Sequence, residues 1–276
     1  MPDLPVLRRA LLVGLTLLLL GCAEERGRPA AFVCEPAVAR ATTGLLVAGS
    51  GAALPLAEAA QLDITEKLGI ALRIATSIGS SGARAALAAG DIDIALAAEP
   101  ELPKVPGVRW TPVARTDVVV VTNRPRERGR IGEVELAATL YSASPRWPDG
   151  TPIRILLRPA NDSGMVALAR ARPWLHAALE ATRHSGHAQV LDTDQEMARA
   201  LRTTSDAMGL IDRGMLGLLR LPAWPVIASP PPADAQRVVA VGVRDDASAA
   251  VQRAAEALIE AMRARAAKEE GYGVLR

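Results

Sequence analysis

Three short segments carry the residues best suited to chemistry: Gly49-Ser50-Gly51-Ala52, Ser77-Ile78-Gly79-Ser80-Ser81-Gly82 and Asn161-Asp162-Ser163-Gly164. Each is small, polar and contains glycine, and each precedes an alanine-rich helical pattern. A helix start leaves its first N–H groups without intrahelical partners, and the helix dipole puts partial positive charge behind them. A serine hydroxyl beside such a turn suits it to holding an anion. Arg158, just before the third segment, adds a fixed cation with a forked donor. Taken singly, the same residues serve as helix caps. Two such turns in the first half of the chain and one in the second point to a shared anionic ligand.

Competing chemistries lack their residues. A dinucleotide fingerprint needs G-x-G-x-x-G, but Leu54 stands at the third glycine position and Pro55 follows it. The second apolar run ends in "IATS", without the acidic residue that would hold a ribose. Ile78-Gly79-Ser80-Ser81-Gly82 lacks the G-x-S-x-G spacing of a serine nucleophile. His176, His184 and His187 share one stretch, with nothing to place them beside a serine, and "RHSGH" has no carboxylate to complete a metal site. The sequence therefore predicts no catalytic residue, no metal and no cofactor.

The elements that position the turns alternate. "GLLVAGS", "IALRIATS" and "DIDIALAAE" read as strands, with helices over "PLAEAAQLDITEKLG", ending at Gly69, and "SGARAALAAG", ending at Gly90. This order predicts an α/β domain with a mostly parallel sheet. "TPVARTDVVVVTNRP" reads as a long strand leaving it. "GEVELAATLYSA" is helical, "TPIRILLRPANDSGMVALARARPWLHAAL" reads as strand, turn and helix, and "TDQEMARALRTTSDAMGLIDRGML" as helix, turn, strand and helical turn. The prolines of "ASPPPADAQ" break the chain before a second long strand, "RVVAVGVR", and an amphipathic C-terminal helix. The expected plan is two α/β domains, 44–115 with 236–276 and an inserted 122–232, joined by hinge strands near 113–122 and 233–243. Closure about two hinges is one use of such a plan.

Composition narrows the partners. A net charge of +2 without a long single-sign run gives no nucleic-acid stripe, and 3% aromatic residues leave little for stacking on bases or sugars. Arg8 and Arg9 precede "ALLVGLTLLLLGC", an apolar run shorter than the roughly 20 residues that span a bilayer, so residues 1–21 read as a signal peptide. Cys34 then has no intramolecular partner if Cys22 is modified, and residues 22–43 read as a tether.

Leu19-Leu20-Gly21-Cys22 resembles the lipobox of bacterial lipoproteins. That resemblance implies cleavage before Cys22, lipidation of its thiol and a membrane-anchored, periplasm-facing protein, with Ala23 slightly favouring the outer membrane. "AGSGAALP", "SIGSSGARAALAAGDIDIALAAEP", "RILLRPANDSG", "MGLIDRGML" and "KEEGYGVLR" are similar to the PstS-like phosphate-binding proteins of ABC transporters, which have a type 2 periplasmic binding fold. The resemblance implies a monomer that binds phosphate or a related oxyanion between its domains and delivers it to an ABC permease. It assigns the ligand to Ser80 and Ser81, to Ser163 and Gly164, to the backbone of Gly51, Ala52, Ala53 and Leu54, and to Arg158 as counter-charge, with Glu99 or Asp162 as acceptor. The match departs from the family at Ala53 and Met165, where hydroxyl residues are usual, and at Ala98, where an acidic residue is usual. Arg158 also stands five residues before Ser163 instead of four. These departures leave a second expectation open: an envelope sensor or scaffold on the same fold, with a degraded ligand site.

Overall fold

A computed structural model describes residues 44–69, 71–125, 131–226 and 235–275. The signal, lipobox and tether expectations, with Cys22 and Cys34, lie outside the described residues.

Strand β1 (Leu45–Gly49), helix α1 (Leu54–Leu68), strand β2 (Leu72–Ile74), helix α2 (Gly79–Ala89) and strand β3 (Ile94–Glu99) form a β-α-β-α-β unit. Its strands are parallel, in the order β2-β1-β3. Pro55 sits in the first turn of α1, where a missing N–H costs nothing. Gly69 ends the helix with φ 62°, a left-handed turn that returns its N–H to Thr65 O. Gly90 ends α2 in the same way, with φ 80°.

The 15-residue strand β4 (Val108–Thr122) crosses between two sheet regions. Its first part pairs with β9 (Gln236–Arg244) and with β10 (Tyr272–Val274), and its last part pairs with β7 (Ala207–Asp212) and β8 (Trp224–Pro225). Pro112 has no N–H to donate, and the register with β9 shifts between Pro112 and Ala114. The valine run alternates faces, as strand geometry requires. Val118 and Val120 enter one apolar cluster, Val119 and Val121 the other.

The second region contains α3 (Glu133–Tyr141), β5 (Arg154–Leu157), α4 (Ser163–Ala171), α5 (Pro173–His184), β6 (Ala188–Val190), α6 (Asp194–Thr203), β7 and α7 (Arg213–Leu218). Strand β5 lies between β6 and β7, parallel to both. The chain returns through β9, antiparallel to β3 and β4, into α8 (Ala249–Ala266) and β10. Helix α8 lays Ala254, Leu258 and Met262 against the core face of α1, where Ala57, Ala60 and Ile64 are buried. A fully buried Leu or Met of this kind contributes about 1.5–3 kcal/mol.

Three local readings change. "IALRIATS" contributes only three strand residues. The helix expected after Ser163 is two helices, because Pro173 cannot donate to the preceding turn and restarts the helix as α5. Strands β6 and β10 were not expected from the sequence; each has three residues.

Candidate functional site

The three turns lie at strand ends, and several of their donors are turned onto the protein, although the start of α2 has no side-chain cap. At the first, Ser50 O accepts from Ala53 N at 2.9 Å and Leu54 N at 3.1 Å, and Ser50 Oγ accepts from Ala52 N at 3.4 Å. Ala53 and Leu54 are buried in the core. At the second, Ser80 Oγ accepts from Ala98 N at 3.2 Å, while Ser81 is exposed. At the third, Asp162 caps α4: its Oδ1 accepts from Gly164 N at 2.9 Å and Met165 N at 3.4 Å. Ser163 Oγ donates to Ala98 O at 2.7 Å, so the serines of two turns meet on one residue of β3.

The candidate charges are likewise engaged. Arg158 follows β5, donates to Leu191 O at 2.6 Å and pairs with Asp162 at 3.1 Å. Its Nε lies 3.7 Å from Asp194 and has no hydrogen-bond partner. Glu99, considered as a ligand acceptor, pairs with Arg84 of α2. The positions that depart from the resemblance, Ala53, Ala98 and Met165, are all apolar and buried.

Residues that the sequence reading missed complete the arrangement. Arg237, at the start of β9, pairs through two nitrogens with Asp212, at the end of β7, and Arg237 Nη1 donates to Ser163 Oγ at 2.8 Å. Arg237 and Asp212 are 2% and 0% exposed. Asp194 and Gln195 open α6 and meet the first turn: Gln195 Nε2 donates to Gly51 O at 3.4 Å. A methyl group at Gly51 would stand 2.8 Å from Asp194 Oδ2, so glycine is required here by close approach. Burial pushes the Asp194 carboxyl above the ordinary carboxylate range, and neighbouring Asp162 adds to this. Arg237, Arg158 and the residue's own backbone N–H act in the opposite direction.

A sequence signal for Asp212 existed, and it is the one that also marks Arg158. Arg158 directly follows the apolar strand "ILL", and Asp212 ends the strand "AMGLID". The two strands are parallel neighbours. The carboxyl ends of such strands are where α/β folds place ligands.

Arg158, Asp162, Asp194 and Arg237 surround a void of about 10 Å³, with Gly164 and Met165 in its wall. That is at the limit of what a single water needs. It does not accommodate a five-atom oxyanion. Among the described residues no cluster of His, Cys, Asp and Glu suits a metal, and no helix is long and apolar enough to cross a membrane. His176 and His184 lie on α5, where His184 Nδ1 is bonded to Glu180 O at 2.7 Å.

Parallel β/α units on either side of a crossing strand, with turns at their strand ends in contact, match the type 2 periplasmic-binding-protein architecture. The chain belongs to the PBP superfamily domain family, whose model matches residues 36–255. The chain is similar to a Clostridium perfringens structure reported as a phosphate ABC transporter substrate-binding protein with bound phosphate, at 14% identity and TM-score 0.64, covering 84% of this chain and 100% of that one. It is also similar to the reduced form of OxyR from N. meningitidis, at 12% identity and TM-score 0.59, covering 84% and 99%. An ABC-type phosphate transport receptor from Vibrio cholerae matches at 12% identity and TM-score 0.53, covering 83% and 98%. No curated protein sequence matches the chain. At these identities the likenesses show the fold, which transport and regulatory proteins share.

Proposed function

We propose that this chain is a lipid-anchored, extracytoplasmic envelope protein that holds its cleft shut with its own charged groups and works by interaction, as a sensor or scaffold. One observation carries the reading. The groups suited to an oxyanion hold each other: Asp162 occupies the N–H groups of α4, Asp212 occupies Arg237, and Ser163 donates across the cleft to Ala98. The cleft charges are Arg158 and Arg237 against Asp162, Asp194 and Asp212, a set that offers an incoming anion no net attraction. On this reading the lobes are 44–115 with 236–276, and 122–232, and β4 and β9 are the hinges.

A second reading, uptake of phosphate or a related oxyanion with an ABC permease as partner, is favoured by a different observation. Two buried guanidiniums, the Ser163 hydroxyl and the start of α4 lie together. An anion would enter the opened cleft by displacing the Asp162 carboxylate from Gly164 and Met165, which makes it compete with an internal ligand.

Thermal unfolding separates the two. With millimolar phosphate, sulfate, arsenate or molybdate, the midpoint is expected to stay where it is without them. A ligand at a hundredfold its Kd adds about 2.7 kcal/mol. In a chain of this size that is a rise of roughly 5–10 °C. A rise of that order with any of the four anions supports the second reading and overturns the first.

A further inference from the structure

Among the cleft carboxylates Asp194 is held least well. Asp162 caps a helix and pairs with Arg158, and Asp212 is bound by two nitrogens of Arg237. Asp194 has Arg158 Nε at 3.7 Å, beyond hydrogen-bond reach, and lies against the uncharged Gly51 of the facing turn. The groups around it come from every neighbouring element. Arg158 follows β5, Asp162 caps α4, and Arg237 of β9 is committed to Asp212 of β7. On α6 itself, Gln195 reaches Gly51 O, while Glu196 accepts from Asp192 N and Thr193 N. With every group ionised, the closed cleft would enclose three carboxylates and two guanidiniums. Taking that surplus charge out of water costs several kcal/mol, which the residue's own backbone N–H offsets only in part.

We propose that the cleft is a proton-operated latch: sealing the Gly51 turn against Asp194 takes up one proton, so the cleft is closed in acid and opens as pH rises. This rests on the self-sealed cleft proposed above. In the open form Asp194 faces water and titrates in the ordinary range near pH 4. In the closed form burial keeps the proton on to higher pH. The closed form thus binds more protons throughout the window above about pH 4. The preference for closure is complete below that window. It weakens by up to about tenfold per pH unit within it, until the closed form ionises as well.

The test is an interlobe distance. Spin labels at Leu62→Cys on α1 and Val134→Cys on α3, positions 73% and 85% exposed, report it in the full chain with Cys22→Ser and Cys34→Ser. Pulsed electron resonance is recorded from about pH 4, where an unperturbed Asp titrates, up to about pH 8. The long-distance population is expected to grow with pH, by up to about tenfold per unit. In Asp194→Asn, which is neutral at every pH, the short distance is expected throughout. If that variant does not fold, Asp194→Ala is expected to remove the pH response equally. An unchanging distribution in the parent chain, or the same response in either variant, overturns the latch. Anion binding is measured separately by calorimetry at one pH. A chain that binds no anion and ignores pH loses the latch and keeps the self-sealed cleft, whereas phosphate binding counts against the cleft reading itself.

Discussion

Asp212→Ala is expected to lower the stability of the folded chain by about 3–5 kcal/mol. Asp212 is fully buried, and it holds Arg237 through Nε at 3.0 Å and through a second, parallel contact from Nη2. Its removal leaves a guanidinium in the interior with its charge unpaired. The remaining neutral partner, Ser163 Oγ, also has Ala98 O to serve. The ion pair itself need not be a large net stabiliser, since both groups lost their hydration when buried. Hence the double variant Asp212→Leu with Arg237→Met is expected to recover most of the loss, because it removes the unpaired charge and keeps the volume. Urea unfolding of the single and double variants gives both numbers. A single variant within about 1 kcal/mol of the parent chain would mean that Arg237 has another adequate partner, contrary to the arrangement described here.

Gly49→Ala is expected to cost about 1–3 kcal/mol or more, for a steric reason. Gly49 ends β1 opposite Leu96 of β3, and an added Cβ would lie 2.2 Å from Leu96 O and 2.5 Å from Leu96 Cβ. The strands would have to part where Ser50 N donates to Leu96 O at 2.9 Å, which also displaces the first turn. Gly132→Ala is the matched control. Its φ is −76° and an added Cβ meets nothing within 4 Å, so only the poorer N-cap that Ala gives α3 is felt, and a change of no more than about 1 kcal/mol is expected. Equal losses in the two variants would show that glycine is needed for something other than close approach.

Much of the fold was legible because local chemistry marks it. Gly69 and Gly90 end helices with the left-handed turns their positions suggest, and the valine run from 118 to 121 reads as a strand buried on both faces. Strands β6 and β10 were illegible, since three residues give no periodicity and their pairing depends on β5 and β4. The turns of the candidate site were legible as turns. Their partners were not, because the deciding contacts join distant residues: Ser163 with Ala98, Arg158 with Asp194, Arg237 with Asp212. A turn that can hold an anion and a turn capped by its own aspartate look alike in sequence. Asp162 shows the difficulty, since the sequence offers it as a ligand acceptor and the fold uses it as the ligand of its own helix.

The central claim is that the cleft is filled by the protein's own carboxylates. Isothermal titration of the chain carrying Cys22→Ser, at tens of micromolar, with phosphate tests it most directly, with sulfate, arsenate and molybdate as companions. The account predicts only heats of dilution for all four. A saturable heat with one-to-one stoichiometry for any of them would contradict it, and would return Arg158, Ser163 and Gly164 to the role of ligand-holding groups.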